Sequence, residues 1–161
     1  FTLLHEFGHL LPLNGDQEKV NLDVYHNPGD DAIYKKAVDA CPRYFTGEGC
    51  SNPNSYINNF FERFWLDLYS EWQTIDAITN DDTRLNKIDD FYNKYQDQFL
   101  TDYAPTSPAE DIAESWAFFI LAPKPEGTSI ADEKILFFYE YPELVQLRTQ
   151  ILQGVCGEFQ Q

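Results

Sequence analysis

The sequence has few basic residues and no methionine. Of its 161 residues, 11 are Lys or Arg and 27 are Asp or Glu, which gives a formal net charge of −16. Proteins bind a phosphate backbone or an anionic membrane surface chiefly by neutralising it with Lys and Arg. The scarcity of positive charge therefore argues against nucleic acids and anionic membranes as partners, and the negative field is expected to favour basic substrates.

Long apolar runs are also missing. The opening FTLLHEFGHLL carries three ionisable side chains within five residues, so it fits neither a membrane-spanning helix nor the apolar part of a signal peptide. The chain contains no G-x-S-x-G motif, no Gly-rich phosphate loop and no EF-hand spacing. With 43% hydrophobic and 16% aromatic residues it is too apolar for disorder, and its length suits one domain over residues 1–161. Because residue 1 is Phe and Met is absent, we expect this sequence to be part of a larger chain.

Cysteine is scarce, and the three cysteines show no C-x-x-C spacing typical of metal sites. Cys41 and Cys50 bound a Pro- and Gly-containing segment that suits a small disulfide loop, which would leave Cys156 unpaired or paired outside the chain. Three reduced cysteines are the alternative. Together with the acidic balance, a disulfide would favour a secreted, extracellular protein.

Helical periodicity dominates what the sequence does contain. Apolar residues recur at spacings of three and four, and Pro and Gly mark the ends of these segments. The expected helices cover residues 1–11, 31–40, 54–73, 82–99 and 108–121, with one or two more after residue 130 that are interrupted near Pro142. At most one short strand is expected, near residues 20–25. The fold class is therefore predicted to be mainly α, with little or no β structure.

The first predicted helix carries an H-E-x-x-H motif, His5-Glu6-Phe7-Gly8-His9. Two histidines four residues apart stand on one helical face, so both imidazoles can reach one Zn²⁺ ion. Glu6 lies beside them, where a carboxylate can accept a proton from an attacking water. An apolar helix does not hold three ionisable groups without a partner, so the motif predicts a metal site.

A catalytic zinc needs a third protein ligand. The metzincin extension requires Gly and His where this chain has Pro12 and Gly15, so that class is excluded. The remaining histidine, His26, stands alone in a polar segment, where a solvated side chain is the more common situation.

The 108–121 helix offers the better ligand candidates, Glu110 and Glu114, which lie one turn apart on one face. The same face carries Ala113 and Ala117, whose small side chains would let the H-E-x-x-H helix approach closely. One glutamate could bind the metal while the other accepts the N–H of a ligating imidazole.

The assignment of the two glutamates stays open at this point. Glu110 also fits a capping box with Ser107, which needs no metal, and in that case Glu114 would be the ligand. Glu110 is favoured on geometry. The neighbouring Asp111 is expected to be an acid of the first turn that simply favours the helix dipole.

HEFGH at residues 5–9, followed by Glu110-Asp-Ile-Ala-Glu114, resembles the gluzincin arrangement of zinc metallopeptidases. The position of Tyr103, seven residues before Glu110, is similar to the lethal-factor-like branch. The resemblance implies a zincin-like catalytic subdomain in which an H-E-x-x-H helix packs on a Glu-bearing helix. It implies Zn²⁺ held by His5, His9 and Glu110, with Glu114 orienting a histidine.

By the same resemblance the chain hydrolyses peptide or protein substrates, with Glu6 as general base and Tyr103 stabilising the oxyanion or the leaving group. The chain is then expected to be the C-terminal part of a catalytic domain, poorly active without the strand that precedes the motif helix in zincins. Two alternatives remain: a non-catalytic zinc-binding module that binds a protein partner, and a metal-dependent amidase acting on something other than protein.

Overall fold

The chain is mainly helical in a computed structural model, which describes residues 1–13 and 15–158, with the backbone alone for 155–158. This confirms the predicted fold class. The side chain of Cys156 lies outside the described part. The helices are α1 (Thr2–Leu10), α2 (Leu22–His26), α3 (Asp31–Ala40), α4 (Tyr56–Phe64), α5 (Tyr69–Asp76), α6 (Asp81–Lys94), α7 (Pro108–Leu121), α8 (Ile130–Phe138) and α9 (Pro142–Glu158). None of the described helices is both long and apolar enough to span a bilayer.

Most of these helices begin at a side chain that accepts a backbone N–H of the first turn. Such caps satisfy donors that have no partner within the helix. At α8 the cap is reciprocal, because Ser129 and Asp132 each accept the other's backbone N–H. The capping residues are Asn21, Asp30, Ser55, Asn80, Ser107 and Ser129.

Several elements differ from the sequence prediction. Residues 54–73 form two helices, α4 and α5, and not one: the chain breaks at Trp65, whose buried indole donates a hydrogen bond to Asp111. Helix α6 ends at Lys94, and a short 3₁₀ helix at Gln96–Gln98 follows where one helix over 82–99 was expected.

The strand expected near residues 20–25 lies earlier, at Glu18–Val20, and a second strand at Gly49–Ser51 was not expected. The Asn21 side chain starts α2 by accepting hydrogen bonds from Asp23 N and Val24 N. Hydrophobic periodicity alone does not reveal such caps and tertiary contacts.

A small two-stranded antiparallel sheet is formed by β1 (Glu18–Val20) and β2 (Gly49–Ser51), with α2 and α3 between the strands in sequence. Glu18 pairs with Ser51 and Val20 with Gly49, and a Cβ at Gly49 would collide with the Lys19 backbone. A disulfide joins Cys41 to Cys50, with their Cα atoms 5.5 Å apart. The disulfide ties the end of α3 to β2.

The core is strongly aromatic, and its rings meet mainly edge to face, as their quadrupoles favour. Trp116, for example, lies 5.6 Å from Phe138 at an interplanar angle of 67°. The largest apolar side chains that are almost wholly buried are Ile57, Phe60, Trp65, Phe91, Ile112, Trp116, Phe119, Ile120, Phe137 and Phe138.

Helix α1 packs antiparallel on α7, and small residues set how close the two helices lie. A Cβ built on Gly8 would stand 2.8 Å from the Ala113 Cα. At one end Phe1 meets Phe118 edge to face, with ring centroids 5.8 Å apart. The opposite face of α1 is exposed, including Leu3. The contact with α7 is what orients the H-E-x-x-H motif.

We expect Gly8→Ala to destabilise the protein although Ala is the better helix former. The new methyl group would meet the α7 backbone, which cannot move aside as a flexible side chain does. Overpacking of this kind costs about 1–3 kcal/mol, which exceeds the roughly 1 kcal/mol gained in helix propensity. Urea unfolding measures the change. Gly15→Ala, where a Cβ meets nothing within 4 Å, is the matched control. An unchanged or raised stability of Gly8→Ala would show that the close approach does not constrain the fold.

Candidate metal centre

Three potential ligand atoms converge between α1 and α7. His5 Nε2 lies 3.1 Å from His9 Nε2, and Glu110 Oε2 lies 3.1 Å from the former and 3.3 Å from the latter. A tetrahedral ion with bonds of about 2.0–2.1 Å separates its ligands by roughly 3.3–3.4 Å, so the spacing fits with a shift of a few tenths of an ångström. His5, His9 and Glu110 therefore form a group that could hold a metal ion.

The orientation of Glu110 supports this fit. Its Oε2 is buried yet accepts no well-aligned hydrogen bond from the described residues, although it faces both imidazoles. Ser107 Oγ accepts the Glu110 backbone N–H at 3.1 Å, so the serine caps α7 while the glutamate side chain points to the histidines. The contact with His9 lowers the pKa of the Glu110 carboxyl and raises the pKa of His9. A negative potential that favours a cation thus exists at this point.

Glu114 lies one turn further along α7 and holds the His5 ring. Its Oε1 accepts a hydrogen bond from His5 Nδ1 at 2.7 Å, which leaves the Nε2 lone pair of His5 facing the other two ligand atoms. Its Oε2 accepts from Thr101 Oγ1 at 2.9 Å, and Thr101 Oγ1 in turn accepts the Ala104 backbone N–H at 3.1 Å. This is the carboxylate support usual for metal-ligating histidines. Thr101 was missed in the sequence because nothing in its spacing links it to the motif.

Glu6 and Tyr103 are both exposed residues at the candidate metal centre. Glu6 follows His5 in α1, and its charge contributes to the raised pKa values of His9 and Tyr103. The Tyr103 ring centroid is 6.0 Å from that of His5. Desolvation, and after it the charge of Glu110, raises the pKa of the Tyr103 hydroxyl, which therefore stays protonated as a hydrogen-bond donor at neutral pH.

Other candidates from the sequence lie elsewhere. His26 is an exposed residue of α2 whose ring packs edge to face on Tyr25. Cys41 and Cys50 are joined in the disulfide and so provide no thiolate ligand. Within the described residues, His5, His9 and Glu110 are the one group of three His, Cys, Asp or Glu side chains able to share an ion.

Asp111 corrects a sequence expectation. It lies in the first turn of α7, as expected, but it does more than favour the helix dipole: it is fully buried, and its Oδ2 accepts hydrogen bonds from Lys134 Nζ at 2.6 Å and Trp65 Nε1 at 2.8 Å. Lys134 is also fully buried, with its Nζ 4.1 Å from the centre of the Phe99 ring. Burial raises the pKa of Asp111 and lowers that of Lys134, while each charge opposes the shift of the other. The one sequence signal was a lysine inside an apolar helical stretch.

This buried pair lies directly behind the candidate metal centre. Asp111 follows Glu110 in α7, so one carboxylate faces α1 while the next faces the core. The pair fixes the rotation of α7 about its axis and connects it to α8.

Comparison with protein-family models, curated proteins and solved structures found no match to this chain.

We expect Glu114→Gln to lower the affinity for Zn²⁺ by roughly 10–100-fold, the loss typical of removing a supporting carboxylate. Glu110→Gln should lower the affinity by more than this. Gln at residue 110 removes a charged ligand, whereas Gln at residue 114 only weakens the hydrogen bond to His5. Isothermal titration calorimetry with Zn²⁺ measures both. Glu126→Gln, an exposed change of the same type, is the control. Equal affinities in all three variants would contradict the assignment of ligands.

We expect Lys134→Met to lower the free energy of unfolding by about 3–5 kcal/mol, because it leaves a buried carboxylate without its counter-charge. The double variant Asp111→Asn/Lys134→Met removes both charges and should recover most of this loss. Lys87→Met breaks an exposed pair with Asp90 and should cost less than about 1 kcal/mol. Denaturant unfolding measures all three. If the double variant is as unstable as the single one, the uncompensated charge is not the cause.

Proposed function

We propose that this chain is a zinc-dependent peptidase of the gluzincin type, similar to the lethal-factor-like branch. The observation that carries the proposal is the number of ligands. Among the described residues three protein side chains converge, and not four. Structural zinc sites are closed by four protein ligands, whereas catalytic sites keep one position open for substrate or water.

Zinc is the ion that this ligand set favours. Two imidazoles and one carboxylate form a borderline set that suits zinc, whereas Ca²⁺ and Mg²⁺ prefer oxygen ligands alone. Glu114 adds the imidazole support that zinc sites commonly have. The lack of a thiolate in the group argues against a structural site of the cysteine-rich kind.

When bound at this centre, zinc would polarise a carbonyl group and make a water molecule a better nucleophile. Glu6, exposed beside the histidines, would take the proton from the attacking water and return it to the leaving amine. The Tyr103 hydroxyl would donate a hydrogen bond to the carbonyl oxygen as it gains negative charge. Glu114 would keep the His5 ring in place throughout, because both of its oxygens are already engaged.

Export to an oxidising compartment is part of the proposal. The Cys41–Cys50 disulfide closes the short loop that leads from α3 into β2. Such bonds persist mainly in secreted proteins or in the periplasm, since cytosolic thiols are kept reduced. The disulfide therefore supports an extracellular or secreted protein.

The experiment is hydrolysis of a mixed peptide library by the zinc-loaded chain, followed by mass spectrometry. We expect new peptide termini with wild type and a loss of at least about 100-fold in rate with Glu6→Gln, within the usual range for a general base. The variant should keep its zinc, because Glu6 is not one of the three ligands.

Glu126→Gln serves as control and should cleave as wild type does. Cleavage that survives Glu6→Gln would contradict the mechanism. Because the chain is expected to be poorly active without an upstream strand, the non-catalytic zinc module is favoured if the zinc-loaded full-length protein also cleaves no member of the library. Cleavage of non-peptide amides alone would favour the amidase.

A further inference from the structure

An aromatic pocket lies beside the disulfide-closed loop of residues 41–50, between α3 and α5. Its cavity measures about 280 Å³. One carboxylate, that of Asp76, stands at its edge. The aromatic side chains that line it are Tyr34, Tyr44, Phe45, Tyr69 and Trp72.

These rings pack against one another around the cavity. Tyr69 stacks on Trp72 with centroids 5.4 Å apart, and Tyr44 stands at 68° to Tyr69 at 6.3 Å. Burial raises the pKa values of Tyr34, Tyr44 and Tyr69, and the charge of Asp76 adds to each of these shifts. The three hydroxyls are therefore neutral near pH 7, and the formal charge of the lining comes from Asp76 alone.

Asp76 lacks a compensating cation. It is exposed, and among the described residues no Lys, Arg or His forms an ion pair with it. It is also the last residue of α5, where the helix dipole disfavours negative charge. A carboxylate next to electron-rich ring faces attracts a cation, and the apolar ring surface suits an alkyl stem.

The pocket shares two wall residues with a cavity that reaches the candidate metal centre. Tyr44 and Thr46 line both the pocket and this second cavity of about 140 Å³, which is also bounded by His9 and Ala109. Ala109 immediately precedes Glu110. The pocket and the candidate metal centre thus lie on either side of a shared wall.

We propose that this pocket binds the ammonium or guanidinium group of a Lys or Arg side chain in a polypeptide. The net charge of −16 favours such an occupant at long range, and Asp76 with the aromatic rings provides the short-range contact. That the polypeptide is the substrate rests on the proposed function, whereas the affinity of the pocket for the cation does not.

The test is an NMR titration of the chain with three blocked tripeptides, Ala-Lys-Ala, Ala-Arg-Ala and Ala-norleucine-Ala. We expect the Lys and Arg peptides to shift the Trp72 indole N–H signal and the Tyr34 and Tyr69 amide signals, with saturation. Norleucine keeps the alkyl stem without the charge and should bind at least fivefold more weakly. Mass spectrometry of the same samples shows whether the peptides stay intact, so binding and hydrolysis are read separately.

Asp76→Asn should weaken binding of the Lys peptide at least fivefold. Asp82→Asn makes the same charge change at an exposed residue outside the pocket and should stay within twofold of wild type. Tyr34→Leu, a change at a half-exposed ring, should also weaken binding. Norleucine binding as tightly as lysine, equal losses in the two Asp variants, or shifts confined to other residues would each overturn the proposal, whether or not the chain is a peptidase.

Discussion

The close packing of α1 on α7 is the contact on which the candidate metal centre depends. Gly8 has no side chain, and Ala113 has only a methyl group, so the two backbones approach nearly to contact. At that separation a histidine on one helix reaches a glutamate on the other directly, as the 2.7 Å bond between His5 and Glu114 shows. A larger residue at either position would separate the ligand atoms by more than the few tenths of an ångström that metal coordination tolerates.

The second constraint on the candidate metal centre comes from the core side of α7. Helix α7 carries ionisable groups on two sides, with Glu110 towards α1 and Asp111 towards the core. A buried charge is costly unless it is paired and hydrogen-bonded, so a rotation of α7 that moved Asp111 away from Lys134 would be strongly opposed. The pair thereby limits the freedom of Glu110 as well. This couples the stability of the core to the precision of the site.

Much of the candidate site follows from sequence because its chemistry is local. The i, i+4 spacing of His5 and His9, and of Glu110 and Glu114, requires only helical geometry to bring each pair to one face. Two small residues of the second helix, Ala113 and Ala117, then indicate which of its faces meets the first helix, whereas the part played by Gly8 emerges only from the structure. The roles of Thr101 and Lys134 could not be read in this way, because each depends on a partner distant in sequence that only the tertiary fold brings near.

The dependence on contacts between residues distant in sequence also explains why the bounds of residues 54–73 were predicted wrongly. The apolar period of residues 54–73 is continuous and gives no sign of the break at Trp65, whose fully buried indole donates a hydrogen bond to Asp111. Hydrophobic periodicity predicts which side chains face the core, but it does not predict which acceptor a buried indole N–H will meet. The start of α2, in contrast, had a local signal in Asn21, whose side chain competes with strand formation by capping the helix that follows.

The surplus of acidic residues has more than one physical role in this fold. Most of them keep a negative surface in water, but Glu110 and Glu114 contact the imidazoles of His5 and His9, and Asp76 adds its charge to a pocket lined by aromatic rings. Carboxylates held close together repel each other, and the repulsion between Glu110 and Glu114 would fall when a cation arrives. At the candidate metal centre the proposed ligand geometry would suit a small divalent ion, whereas in the aromatic pocket the rings and the open cavity would suit an organic cation on a flexible stem. Under the two proposals, the same kind of negative charge would take different cations because the surrounding side chains differ.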